Sequence, residues 1–558
     1  MKGMYTSSLK KKVAYFTMEI ALDPEIHTYS GGLGVLAGDT LRSFADLEVP
    51  AVGVTQLNDE GYTRQELSDE GDQIDSKNEW EPEAYLERIP ETTTVEIEDK
   101  EVKIGAWKKT VESSHHDHSV PILFLDTDLE ENEDQFREIT KRLYGGDQRY
   151  RLFQEIILGI GGCRILDEIG HEIETYHMNE SHSSLLALEL LKRHDMEEER
   201  VKDLCVFTTH TPEGAGHDRF NYDLVEEVLG DYIPVPKLKE LSQEDNLHMT
   251  KLALNLSGYI NAVSKRHEEV TREMFPDYSI DSITNGVHIP RWVSPSFGEL
   301  YDEYISGWRK DPYKLKHAGR IPGEELWDAH SEEKSKLIEY VEKNTGIDMN
   351  DYIFTIGFAR RAAPYKRANL IFHDVERLKQ IAKDVGEFQV LFAGKAHPQG
   401  EMSKEMIKKV NSRIRDLRED IKMAYLENYN IELGAMMTSG VDLWLNTPER
   451  GREACGTSGM KASCNGVPQL STLDGWWIEG HLEGVTGWKI GLDPEEKSEK
   501  ADEIDAKDLY ETLEEKILPK YYADKKKWIE IMKNSISFNA SYYNTHRMVR
   551  EYFLNAYS

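Results

Sequence analysis

Three segments gather residue types that could do chemistry. The richest is 449–463, ERGREACGTSGMKAS. It follows an apolar run, VDLWLN, that reads as a strand. Gly456 to Gly459 could then cradle a phosphate at a helix N-terminus, with the Thr457 and Ser458 hydroxyls assisting. Lys461 falls on the first turn of that helix. The dipole and a cleft would both favour its neutral amine, the form that condenses with an aldehyde. Composition alone, however, favours a surface lysine on a capped helix.

The second segment is 357–367, GFARRAAPYKR, with Arg360, Arg361, Lys366 and Arg367 just after a strand. Cations at a helix start oppose the dipole. Phosphate binding is the better reading, through bidentate arginines and a lysine point charge. The third is Ser30-Gly31-Gly32-Leu33-Gly34, between a strand and a helix. Its glycines let backbone N–H groups approach an anion, and a tight turn with close packing explains them equally well.

Other candidates are weaker. His182 in NESHSS and His210 in TTHTPEG each follow a short apolar segment, where a buried core histidine is the commoner outcome. The run His115-His116-Asp117-His118 could bind a metal, but a solvated loop is favoured and no metal site is expected. Trp476 and Trp477 could stack on sugars or fill core. There is no G-x-S-x-G elbow, H-E-x-x-H helix or Walker loop.

The elements that must position these residues alternate. A strand pattern beginning near 13, in KKVAYFTMEIAL, and another at 51–55 flank the glycine loop and a helical stretch, 35–47, as in a parallel α/β sheet. Residues 60–120 read as an antiparallel, acidic excursion. Helical stretches follow at 134–143 and 149–169, with strands near 175–178, 204–209 and 259–263. A Pro-bearing connection, 290–322, leads to a second α/β series starting at 352–358, and the end from 509 is helical. Two α/β domains, 1–290 and 291–558, are therefore expected to face one another across a cleft, the terminal helices packing back on the first. Ligands of such sheets bind at the carboxyl ends of strands.

The 558 residues are 39% hydrophobic and 30% charged, enough to build large cores. The net charge of −34 would repel nucleic acid and anionic membranes. No run is long and apolar enough to span a membrane, and the start, MKGMYTSSLKKK, has no apolar core for a secretion signal. Four cysteines without C-x-x-C spacing suit a reducing, cytoplasmic location.

Taken together, these segments resemble the α-glucan phosphorylases, the glycogen and maltodextrin phosphorylase family, over about residues 12–480. The resemblance is densest at EACGTSGMKASCNGVPQLSTLDG. It implies two Rossmann-like doubly wound domains facing a deep cleft, of the glycosyltransferase-B type. It implies reversible phosphorolysis of α-1,4-glucan to glucose 1-phosphate with retention, and pyridoxal 5'-phosphate as cofactor. It makes Lys461 the cofactor lysine, assigns Arg360, Thr457 and Ser458 to the cofactor phosphate, and places Tyr429 nearby. Arg361 and Lys366 fall to the substrate phosphate, Arg361 in a buried charge-assisted pair. Glu453 and the backbone of Ala454, Cys455 and Gly456 would hold the glucosyl unit. Asn285 and His210 match residues around the glucose 6-hydroxyl, His210 being counted among the catalytic residues with Arg361, Lys366 and Lys461. His182 matches an acceptor-side histidine, and Gly31, Gly32 and Leu33 the loop facing phosphate. The partners implied are α-glucan and inorganic phosphate, with self-association left open.

Some features depart from the pattern. The chain is shorter than the animal enzymes and is expected to lack their regulatory N-terminal extension. Cys455 and Ser458-Gly459 replace other small residues. Two rival readings stand beside this one. A nucleotide-sugar-dependent glucan synthase shares the architecture, but many such enzymes carry a second glutamate seven residues beyond the first, where this chain has Lys461. A non-catalytic glucan-binding homologue would be expected to lose Lys461, Arg361 or Lys366.

Overall fold

The computed structural model describes residues 12–496 and 498–557. The basic start of the sequence, with its expected lack of a secretion signal, lies outside them. The chain forms two units. One holds the residues up to Tyr62, Lys77–Ile283 and the residues from Met548 onward; the other holds Thr63–Ser76 and Thr284–Arg547. Against the expected boundary at 290, the second unit begins at Thr284 and also takes in 63–76.

The first unit is built around Val13–Thr17, VAYFT, whose five side chains are all buried. Such a run suits a strand covered on both faces. It pairs in parallel with Ala51–Gln56 on one side and Thr175–Asn179 on the other. Beyond Ala51–Gln56 lies Ser119–Asp126. Beyond Thr175–Asn179 come Cys205–Thr208, Tyr259–Ala262 and Asp281–Ser282, every pairing parallel. The strand order reverses between Val13–Thr17 and Thr175–Asn179, which makes the sheet doubly wound. The expected antiparallel excursion is Lys100–Glu112 with its neighbours Thr93–Ile97 and Glu87–Arg88.

Two expectations need correction here. The hairpin Arg64–Leu67 with Gln73–Ser76 belongs to the second unit. Gln65 and Gln73 bond the backbone of Gly394 and Ala396, so these buried amides fasten the hairpin to the ends of the second sheet. The helix expected over 134–143 stops at Arg137. The Thr140 carbonyl accepts from the Asn58 amide and its hydroxyl from the Thr127 amide, which draws the chain out of helical register.

The second sheet runs Met423–Leu426, Phe388–Ala393, Phe354–Ala359, Leu443–Asn446, Gln469–Thr472 and Gly487–Ile490, all parallel. In chain order this is 3-2-1-4-5-6, the dinucleotide-fold order. Its switch point lies between Phe354–Ala359 and Leu443–Asn446. At the opposite, amino-terminal end of these strands, Asp442 accepts from Lys334 Nζ at 2.5 Å and His330 Nε2 at 2.8 Å. This fully buried cluster pins the helix Gly323–Thr345 under the sheet. Met548, Val549, Tyr552 and Tyr557 join the first unit's core with Tyr15 and Phe44. Among the described residues no helix is long and apolar enough to cross a membrane.

Candidate active site

In the second unit the two strands at the switch point deliver the cation segment and the glutamate loop side by side. Arg360 directly follows Phe354–Ala359, and Glu453 lies on the loop after Leu443–Asn446. Arg360 Nη2 donates to Glu453 Oε2 at 2.7 Å, and Lys366 Nζ donates to the same oxygen at 2.5 Å. The three side chains are almost wholly buried. Burial pushes the Lys366 amine down to about 7, and the Arg360 charge adds to this against the pull of Glu453. Burial acts to raise Glu453, but Arg360 and Lys366 outweigh it and hold the carboxyl below its ordinary range. Arg360 keeps Nε and Nη1 buried with no hydrogen-bond partner among the described residues. Two oriented, desolvated donors without an acceptor suit an anion.

The cation segment divides. Arg361 is exposed, so the buried pair expected for it belongs to Arg360 instead. It still lies close enough to Lys366 to lower that amine's affinity for a proton. Arg367 turns away from Glu453. Its guanidinium bonds the Thr447 and Pro448 carbonyls, Asp502 and Asp505, and Arg450 grips the other side of Asp505. Arg367 therefore fixes the start of the glutamate loop.

Gly456 adopts φ +81°, where a side chain would be strained and its Cβ would lie 3.1 Å from Glu453 Cγ. The turn folds the chain back over Glu453. Gly459 has no room for a Cβ against Gln469. Together they place the short helix Ser458–Ser463, in which Lys461 is buried with Nζ 4.0 Å from the centre of the Trp292 ring. Asn465 ties that ring's segment to the helix through the Trp292 carbonyl and the Ser294 amide. Ser458 Oγ accepts from Trp444 Nε1. Thr457 caps no amide with its side chain. Tyr429 leads into the helix Ile431–Gly440, packed at its partner Gly434. Ala454 and Cys455 follow Glu453, and the buried Cys455 thiol, its proton affinity raised by burial, faces the Asn285 backbone. Asn285 Oδ1 is buried without a hydrogen-bond partner among the described residues. Trp476 and Trp477 are core residues.

No motif or spacing points to Asp474. It accepts the Arg452 and Glu453 amides from the end of the next strand, and burial raises its carboxyl to about 6.

In the first unit, Gly31, Gly32 and Leu33 open the helix Gly32–Asp46. Two amides expected to meet a ligand anion are already engaged. Glu19 Oε2 accepts from Ser30 N at 2.6 Å and Gly31 N at 3.0 Å, and Tyr144 donates to its other oxygen. His182 and His210 follow the strands Thr175–Asn179 and Cys205–Thr208. Burial pushes the His182 imidazole down to about 4 and that of His210 down to about 3. His182 Nε2 faces Asp218 at 3.6 Å, while its buried Nδ1 has no hydrogen-bond partner among the described residues. Glu180, at φ +76°, accepts from the amides of Ser181 and His210 and the Thr211 hydroxyl. His118 bonds the Val49 carbonyl and His115 the Ser114 hydroxyl.

The sequence matches the carbohydrate phosphorylase family model over residues 217–486. It is 38% identical to a maltodextrin phosphorylase of Thermococcus litoralis, across 98% of this chain and 71% of that protein. The chain belongs to the carbohydrate phosphorylase family. A glycogen phosphorylase of Aquifex aeolicus is 35% identical across 99% of this chain and 87% of its own length. One of Mycobacterium tuberculosis is 33% identical across the whole chain and 72% of its own length. The phosphorylase match includes Arg360, Lys366, Glu453 and Lys461. A match to the starch synthase catalytic domain, residues 57–285, ends before any of them.

Proposed function

We propose that this chain is an α-glucan phosphorylase that moves a terminal α-1,4-linked glucosyl unit between glucan and inorganic phosphate, giving glucose 1-phosphate with retention. The observation that carries this reading is the pair Arg360 and Lys366 on Glu453 Oε2, with two further Arg360 donors buried and unpartnered.

The residues fit a phosphorylated aldehyde cofactor. Lys461 supplies a buried amine beside an aromatic ring, and Arg360 supplies buried donors for a phosphate. When bound, pyridoxal phosphate supplies a second phosphate that exchanges a proton with the substrate phosphate. Lys461 is its tether, with Thr457, Ser458 and Tyr429 proposed around it. Arg360, Arg361 and Lys366 offset phosphate charges that would otherwise repel each other. Incoming phosphate competes with Glu453 for its two cations. The freed carboxylate then accepts from glucosyl hydroxyls, beside the Ala454, Cys455 and Gly456 backbone and Asn285. On the first unit, Gly31, Gly32, Leu33, His182 and His210 are proposed for the glucan and phosphate. A cytoplasmic location is supported by four buried, free cysteines.

Borohydride reduction followed by peptide mass spectrometry tests the cofactor. A pyridoxyl-phosphate adduct on Lys461, lost in Lys461→Ala, is expected. An unmodified Lys461 after reconstitution would move the assignment to nucleotide-sugar transfer or glucan binding.

A further inference from the structure

Thr17 and Asn179 end neighbouring parallel strands and lie side by side in register. Both are buried. Thr17 Oγ1 is 2.9 Å from the Glu19 carbonyl oxygen, which can only accept, so the hydroxyl proton points there. Thr17 therefore shows Asn179 a lone pair, and Asn179 must meet it with Nδ2, at 3.1 Å. The reversed amide would turn the Thr17 hydroxyl toward Asn179 and leave two acceptor oxygens facing across 2.9 Å. With the amide fixed, Oδ1 faces His210 Nε2 at 2.7 Å. An amide oxygen only accepts, so Nε2 carries the proton.

His210 is also anchored by its backbone: its amide donates to Glu180 at 2.7 Å. Burial disfavours the imidazolium, with His267, His177 and His182 adding to the effect. A neutral ring protonated at Nε2 has a lone pair at Nδ1.

We infer that Asn179 is a positioning residue that holds His210 as the Nε2–H tautomer, so that Nδ1 offers an acceptor to a substrate hydroxyl and not a donor to phosphate. The tautomer stands on the hydrogen-bond chain alone; the hydroxyl rests on the phosphorylase reading.

Long-range proton–nitrogen NMR on the full chain with labelled histidine, without ligand, reads the tautomer directly, His210→Gln giving the assignment. A lone-pair Nδ1 and a protonated Nε2 are expected in the wild type and in Asn179→Asp, which keeps an acceptor. Asn179→Leu should show averaging between tautomers. A protonated Nδ1 in the wild type would overturn the inference.

Kinetics test the hydroxyl. Asn179→Leu should raise KM for glucan about tenfold or more, and change KM for inorganic phosphate less than about twofold. Equal losses for both would overturn the hydroxyl assignment. A wild type with the expected tautomer but no phosphorolysis would remove that assignment and the phosphorylase reading together, whereas the wrong tautomer removes this inference alone.

Discussion

Lys366 Nζ donates to Glu453 Oε2 across 2.5 Å, with both side chains buried. The carboxylate thus occupies cations that the proposed reaction needs for phosphate. Glu453→Gln should therefore bind inorganic phosphate more tightly, because its competitor has lost its charge. The same variant should lose about a hundredfold in kcat, because the glucosyl hydroxyls lose a charged acceptor. Calorimetry with phosphate, set beside initial rates, separates the two effects. Weaker phosphate binding by the variant would contradict the competition.

With its amine pushed down to about 7, Lys366 loses its charge as pH rises through neutrality. Anion binding must then take up a proton. Sulfate, which does not titrate in this range, should inhibit less well above pH 7, by up to about tenfold per pH unit. Lys366→Arg should flatten the profile, since a guanidinium stays charged. A flat profile in the wild type would remove Lys366 from the anion site.

Acid should attack the first unit. Burial holds His177 and His210 down to about 3 and His182, His217, His248 and His267 down to about 4. The ordinary value is 6.5. Each folded pKa is depressed, so the stability these groups confer is complete above about pH 6.5 and is lost as pH falls toward 4, at up to about 1.4 kcal/mol per pH unit for each histidine. Within this unit Asp59, raised by burial to about 6, and Glu155 and Asp167, also raised by burial, act in the opposite sense, three carboxyls against six imidazoles. Thermal melts from pH 8 to 4 should show a steepening fall in Tm below 6.5. A constant Tm down to pH 4 would show that these rings are not neutral by burial.

The Lys334–Asp442–His330 cluster lies at the amino-terminal strand ends, away from Glu453. Lys334→Met leaves Asp442 buried with a partner missing and should cost about 3–5 kcal/mol in urea denaturation. KM for phosphate should not change. A shifted KM would connect this cluster to the site.

Much of this was legible in the sequence because it is local. Apolar runs followed by glycine or cation loops marked the strand ends where Arg360, Glu453, Gly31 and His182 lie. What was missed depends on contacts distant in sequence. Arg367 resembles its neighbours as a cation, and only Asp502 and Asp505, far along the chain, show that it braces the loop. Arg361 and Arg360 are adjacent, and only the contact with Glu453, far along the chain, shows which of them is buried. Glu19, Asn179, Glu180 and Asp474 act on backbone amides or through a neighbouring side chain, which no spacing rule detects. Asn179 and Glu180 do directly precede Ser181-His182, so the motif contained them without revealing their part.

Tyr552 and Tyr557 hydrogen-bond to Thr208, Asn261 and His177 inside the first unit. During synthesis, the sheet that begins at Val13 therefore waits for aromatic residues made more than five hundred positions later. The nascent first unit emerges from the ribosome with polar groups in its interior still lacking their final partners. Its closure therefore comes only after residues 284–547 of the second unit have been translated.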